Sequence, residues 1–293
     1  MSLNELLGAR VGDLLSACPT EPHLYRRQSA TLDRAITLDL MNTYIDHGLT
    51  VPARTAAVRN GRAVHPGRFS KDGAMLPGKL RGLIDDGHTV NLREIQTTVP
   101  YLAKFCAQVQ AETGYTLYVS AIITPTGETG LTHHWDQTTV LVAQLSGRKH
   151  WPLWAPTVRH PMDDYLDSPT EWTEEMQQAW DTTKPFATFD LEPGDTLVVP
   201  RGWVHAPICT GDEPSFHLTF ALRERTPLDL AHELIASALE HDVFRRGLAP
   251  AHLRADNLGS TLSDVREMTI NHLAGLDLDQ LADRIAPQLA GMC

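Results

Sequence analysis

The stretch LTHHWDQTTV, residues 131–140, places two histidines and an aspartate within four positions. Imidazole and carboxylate groups at this spacing are metal-ligand chemistry if they converge. In an extended segment, side chains two apart share a face. His134 and Asp136 therefore project together, while His133 and Trp135 face the other way. His205 offers a third ligand from LEPGDTLVVPRGWVHAP, after an apolar run and a Pro-Arg-Gly turn. Two imidazoles and one carboxylate with open positions make the facial triad suited to non-haem Fe(II), with room for a co-substrate and O₂. Each piece alone has an ordinary explanation. Such residue triplets arise by chance, and a lone buried histidine is by default a hydrogen-bonded core residue.

The text between the two segments adds a cation. Lys149, in VLVAQLSGRKHWPLW, starts a β-rich run just after Gly147. A lysine directed into an apolar interior needs an anion, because an unpaired buried charge is costly. The far carboxylate of an iron-chelating dicarboxylate would serve. The alternative is a lysine whose head reaches solvent along its stem. Trp203, two residues before His205, is either a substrate-entrance residue or a core aromatic beside the turn. Ser215, His217 and Thr219 share one face of SFHLTFAL, where a hydroxyl can bond a co-substrate. For His217 the ordinary reading is a satisfied core histidine.

These residues need a rigid frame. From residue 115 the chain breaks into short β-rich runs split by Gly and Pro turns, among them YTLYVSAIITP, TTVLVAQLSG, FATFDLEPGD and SFHLTFALRE. No helices of 10–15 residues alternate with these runs, so an antiparallel barrel or jelly roll fits better than a parallel sheet. Helices are expected on its flanks: LNELLGARVGDLLSA, with a connector through CPTEPHLYRRQ; LDLMNTYIDHG, stopped at Gly48; and PYLAKFCAQVQAETG. Residues 51–78 read as a strand or two joined by long loops. An acidic helix, SPTEWTEEMQQAWDTT, interrupts the strands, with Ser168 and Glu171 as its capping box. After about residue 225 three amphipathic helices follow, TPLDLAHELIASALEHDVFRRG, TLSDVREMTINHLAG and LDQLADRIAPQLAG. The reading is thus a mainly β domain over 1–225 with N-terminal helical elements. A helical region over 226–293 docks on the barrel or forms a homodimer contact.

The bulk properties narrow the class. A formal charge of −11 over 293 residues argues against a dedicated nucleic-acid binder. No run approaches the ~20 apolar residues that cross a bilayer, and MSLNELLGAR lacks the basic and long apolar regions of a signal peptide. Cys18, Cys106, Cys209 and Cys293 are scattered without a CxxC pair and read as reduced thiols. A soluble cytoplasmic protein is expected, with no membrane partner.

Taken jointly, HxD, then QLxGxK, then PGD and a distal histidine resemble the JmjC group of the cupin superfamily, Fe(II)- and 2-oxoglutarate-dependent oxygenases. The ribosomal-oxygenase branch is the most similar, over roughly residues 80–224. The resemblance implies a double-stranded β-helix, with His134, Asp136 and His205 as iron ligands and Lys149 on the 2-oxoglutarate carboxylate. It gives Ser120, where relatives often have asparagine, a hydroxyl contact with the co-substrate. Ile122 falls where some relatives have tyrosine. The helical tail resembles that branch's dimerisation region. The winged-helix module usual in the branch does not follow within the 293 residues, which gives peptide natural products weight beside ribosomal proteins as substrates. The implied activity is hydroxylation of a protein or peptide side chain, yielding succinate and CO₂. The alternatives are a demethylase using the same iron chemistry, a non-catalytic binding or scaffold cupin, and a different metallo-cupin.

Overall fold

The computed structural model describes residues 3–162 and 173–291. The expected capping box of Ser168 and Glu171 lies outside the described residues. Contacts divide the chain into two units, Met1–Arg223 and Glu224–Cys293.

Strands β1 (His23–Arg26), β2 (Thr55–Arg59) and β3 (Arg62–Ala63) precede a small hairpin of β4 (Ser70–Lys71) and β5 (Ala74–Met75). Next come β6 (Thr89–Leu92), β7 (Thr116–Thr124), β8 (Thr139–Ser146) and β9 (Lys149–Trp154). The first unit closes with β10 (Ala187–Leu191), β11 (Asp195–Val199), β12 (Val204–His205), β13 (Ile208–Cys209) and β14 (Ser215–Arg223). The larger sheet runs β1-β11-β8-β14-β7-β6-β2-β3; the smaller runs β10-β9-β12, with β13 also on β9. Every pairing in both is antiparallel. The result is a jelly roll, a double-stranded β-helix with helices on its flank.

The period-2 pattern of the sequence decides what each face does. On β7, Val119, Ala121 and Ile123 pack into the main core, while Tyr118, Ser120 and Ile122 line an internal cavity. On β14, Phe216, Leu218, Phe220 and Leu222 face that core, while His217, Thr219 and Ala221 face the cavity. Helix α6 (Pro100–Thr113) closes the core from outside through Leu102, Phe105 and Val109, its Phe105 ring 4.9 Å from that of Phe220. It forms where the spacing predicts and stops at Gly114 in the left-handed region. Truncating a buried Phe of this kind to Ala costs about 3–5 kcal/mol.

The N-terminal segment departs from expectation. In place of one helix there are α1 (Asn4–Leu7) and α2 (Val11–Ser16), separated at Gly8 with φ of +59°. Leu3, Leu6 and Leu7 are buried, so the segment still seals the core. The next expected helix forms as one piece, α4 (Leu38–Asp46), and a short α3 (Thr31–Ala35) precedes it. The connector contains β1, an edge strand on β11 that residue patterning does not mark. Its anchor is the adjoining Arg27. That buried guanidinium donates to the Asp33 carboxylate and to the backbone carbonyls of Asp195 and Gln144. A short helix α5 (Lys79–Asp85) precedes β6, and α7 (Glu174–Thr182) is N-capped by the Thr173 side chain.

The second unit contains α8 (Pro227–Ala236), α9 (Asp242–Arg245), α10 (Ala255–Ala274) and α11 (Leu278–Leu289). Thr226 and Asp229 form a reciprocal capping box at the start of α8. The first of the three expected helices divides at a 3₁₀ turn over Ser237–Glu240, and the second starts earlier than its sequence pattern marks. Among the described residues, no helix is long and apolar enough to cross a membrane.

Candidate metal centre and anion pocket

His134 lies in a loop, not in a regular strand. One antiparallel bridge joins it to His205, at the end of β12. The backbone N–H of His134 donates to the His205 carbonyl (3.1 Å), and that of His205 donates back (2.8 Å). The two rings are 4.2 Å apart between centroids. Each imidazole turns Nδ1 to a carbonyl two residues earlier, His134 to Thr132 (2.8 Å) and His205 to Trp203 (2.9 Å). A carbonyl only accepts, so Nδ1 carries the proton and Nε2 keeps its lone pair, the tautomer a metal ligand needs. Burial, reinforced by the neighbouring His205, pulls the His134 pKa down to about 4. The neutral, ligating form is thereby the one favoured.

Asp136 completes the group, its Oδ2 3.7 Å from Nε2 of His205. Its backbone is tied in turn, since the Gly202 N–H donates to the Asp136 carbonyl (2.9 Å). Gly202 has φ of +85°, and a Cβ there would meet the Val158 carbonyl at 2.9 Å. The Pro-Arg-Gly turn thus needs its glycine, and through it holds the Asp136 and His205 segments side by side. Among the described residues, no three His, Cys, Asp or Glu side chains already close into a metal-holding arrangement. The Asp136 side chain is 39% exposed and lines the same cavity as the two imidazoles. The donor set fits an iron-type metal with open positions.

QLxGxK has a structural explanation. The buried Gln144 amide donates to the carbonyls of Ser146 and Gly147 and to Ser215 Oγ, bracing the turn between β8 and β9 against β14. At Gly147, φ is +63° and a Cβ would stand 2.4 Å from the Pro214 carbonyl oxygen. The turn delivers Lys149, 2% exposed, into the cavity. Its Nζ donates to Thr124 Oγ1 (2.8 Å), and it forms no salt bridge among the described residues. Burial lowers its pKa to about 7. The lysine does not reach solvent along its stem, and an anion in the cavity would restore its charge.

His134, Asp136, His205, Lys149 and Ser120 all line one cavity of about 320 Å³, within the size range of small-ligand sites. Ser120 is buried there opposite Thr219 of β14, and Ile122 contributes apolar wall. Trp203 is a correction. It does not line the cavity: its indole N–H donates to the Thr20 carbonyl (3.1 Å), its ring contacts Phe186, and it packs with Leu197 and Val199. Of the two roles weighed for it, the structure assigns the core aromatic. His133 points away from His134, stacked on Trp180, set edge-on to Trp154 and bonded to Gln177 of α7.

Residues 91–230 match the family model described as the JmjC domain. This part of the chain is a JmjC domain. The chain is similar to ribosomal oxygenase 1 of Rattus norvegicus, 31% identical over 67% of this chain and 32% of that protein. It is also 28% identical to the bifunctional lysine-specific demethylase and histidyl-hydroxylase NO66 of Brugia malayi, over 76% of this chain and 30% of the relative. The chain thus spans about a third of the length of these relatives. Among solved structures, YcfD, a ribosomal oxygenase from Escherichia coli, superposes with a TM-score of 0.57 at 15% identity. That match covers 91% of this chain and 67% of the other, and it supports the fold alone.

Among the cavity-lining residues that sequence reasoning misses are Asn91 on β6 and Trp151 on β9. Trp151 lies two residues after Lys149 on the same strand face, a signal the period-2 rule already contains. Asn91 belongs to a four-residue strand flanked by loops, and it carries no such signal.

Proposed function

We propose that this protein is an Fe(II)- and 2-oxoglutarate-dependent hydroxylase acting on a protein or peptide side chain. The observation that carries this reading is the pairing of two features in one cavity. Two imidazoles present free Nε2 atoms beside a carboxylate, and a buried lysine without a counter-ion among the described residues lies along the same walls. His134, Asp136 and His205 would hold the iron, and Lys149 would take the far carboxylate of 2-oxoglutarate, with Ser120 beside it. Iron(II) bound there, with 2-oxoglutarate and O₂, supplies the oxidising chemistry that places one oxygen atom into a substrate C–H bond and yields succinate and CO₂. The protein's part is orientation and exclusion of water. Lys149, positioned by Thr124, would fix one end of the co-substrate, and apolar Ile122, Val140 and Val142 keep the chamber dry.

The curated relatives carry names of protein-modifying oxygenases, and a YcfD structure is described in complex with cobalt and 2-oxoglutarate. These names favour a protein substrate, a ribosomal protein first and a peptide natural product second. Removal of an N-methyl group is the second reading, favoured by the demethylase half of the NO66 name. We assign the chain to the cytoplasm and its helical unit to homodimer formation. That unit exposes Ile235, Leu239, Leu262 and Ile270, each more than half accessible. Covering these side chains is what a homodimer contact would do.

The test is succinate production from 2-oxoglutarate under O₂, with and without Fe(II), for the wild type and His134→Ala. Iron-dependent succinate from the wild type alone is expected. A wild type that is folded and iron-loaded yet neither binds 2-oxoglutarate nor forms succinate contradicts the reading.

A further inference from the structure

His217 is the third residue of β14, 1% exposed, with its ring in the cavity wall. Neither ring nitrogen has a hydrogen-bond partner among the described residues. Buried polar groups are hydrogen-bonded almost without exception, so an imidazole orphaned at both nitrogens calls for a partner from the cavity. Its neighbours sharpen what that partner is. The indole of Trp151 meets the His217 ring edge-on at 5.7 Å, and its own buried Nε1–H is also without an acceptor among the described residues. Trp151 shares the inward face of β9 with Lys149, whose ammonium donates to Thr124 and has further protons to give. One side of the cavity thus gathers three kinds of donor, with no described carboxylate bonded to any of them. The β8–β14 register shifts between Phe216 and His217, an irregularity of the kind that re-aims a side chain beside a functional site.

We infer that His217 is a binding residue for the anionic co-substrate, donating a ring N–H to the carboxylate that Lys149 neutralises. The inference rests on the proposed function and extends it to a residue whose ordinary reading is satisfied core. Trp151 holds the His217 ring by its edge contact and adds its own indole donor to the same end of the cavity. A neutral imidazole suffices, since it always carries one N–H.

The experiment is calorimetric titration of 2-oxoglutarate into the Co(II)-loaded full chain, for wild type, His217→Phe and His217→Gln, with pyruvate as a probe lacking the distal carboxylate. Loss of one hydrogen bond to a carboxylate predicts a Kd for 2-oxoglutarate about tenfold or more weaker in His217→Phe. The amide of His217→Gln restores a donor and recovers most of that loss. Co(II) affinity and pyruvate binding are expected to stay at wild-type values, which a purely structural role would not predict. Unchanged 2-oxoglutarate affinity in His217→Phe overturns the inference. So does a loss shared equally by Co(II) and pyruvate, and so does His217→Gln binding as weakly as His217→Phe. Should His217→Phe fail to fold, His217→Gln is compared with His217→Ala, and equal 2-oxoglutarate affinity in those two variants overturns the inference in the same way. A wild type that takes Co(II) but no 2-oxoglutarate removes the proposed function itself and the inference with it.

Discussion

His134 and His205 exchange both of their backbone hydrogen bonds, and each turns its Nδ1 to the carbonyl two residues before it. One isolated bridge therefore sets both imidazoles at once, aligning them through the backbone before any metal arrives. His205 belongs to β12, which pairs with β9, whereas the His134 side is a loop tied to it through this bridge and the Gly202 contact. A metal held across the two rings would stabilise the bridged state by mass action. Amide exchange at His134 and His205 is expected to slow at least about tenfold on saturation with Co(II). Exchange unaffected by Co(II) would show that the metal binds elsewhere.

Lys149 trades stability for binding. Its pKa falls from 10.5 to about 7 because burial penalises the charged form. The unfolded chain thus holds a proton that the folded chain lacks between pH 7 and 10.5. In that window the ligand-free wild type gains stability as pH rises, while below pH 7 the full penalty remains. Lys149→Met is accordingly expected to be more stable than wild type at pH 6, by on the order of a few kcal/mol. The difference should shrink toward pH 10, and 2-oxoglutarate affinity should drop. Denaturant melts at the two pH values check the first point; a variant less stable than wild type at pH 6 contradicts it.

The turn before Lys149 is a second point of strain control. Gly147→Ala would force a Cβ against the Pro214 carbonyl in a left-handed backbone conformation. A destabilisation of at least about 2 kcal/mol is expected, seen as a lower Tm. The folded fraction should bind 2-oxoglutarate less well, because β9 can no longer enter at the same height. A variant with wild-type Tm would refute this account of the glycine.

Trp203 tests the cavity boundary from the other side. Trp203→Phe removes the hydrogen bond to Thr20 and leaves an apolar ring packed with Leu197 and Val199. It should cost about 1–2 kcal/mol of stability. The Kd for 2-oxoglutarate should stay within about twofold of wild type, since the ring lies outside the cavity. A changed Kd with unaltered stability would return Trp203 to the cavity.

The strand-rich half was legible because β7, β8 and β14 alternate between core-facing and cavity-facing side chains, a pattern their residues carry directly. Placing His134 with Asp136 and apart from His133 rested on the same rule, although the segment turns out to be a loop with a single bridge. What stayed hidden depends on long-range pairing. The β1 strand is four residues at a sheet edge, held by Arg27 through groups more than a hundred positions away. The break at Gly8 comes from a positive φ that helical spacing alone does not reveal. Trp203 could not be placed because its partner, Thr20, lies 183 residues away. For His217 the face was readable, but its lack of partners emerges only when every neighbouring strand is in position.

The most direct test of the central claim is a Co(II) titration of the full chain, followed by 2-oxoglutarate, read in the visible spectrum. The account predicts one Co(II) per chain in the wild type and a change in the cobalt bands when 2-oxoglutarate is added. Both should be lost in folded His205→Ala, with an affinity at least about a hundredfold weaker. Co(II) retained at wild-type affinity in His205→Ala, or cobalt bands indifferent to 2-oxoglutarate in the wild type, would contradict it.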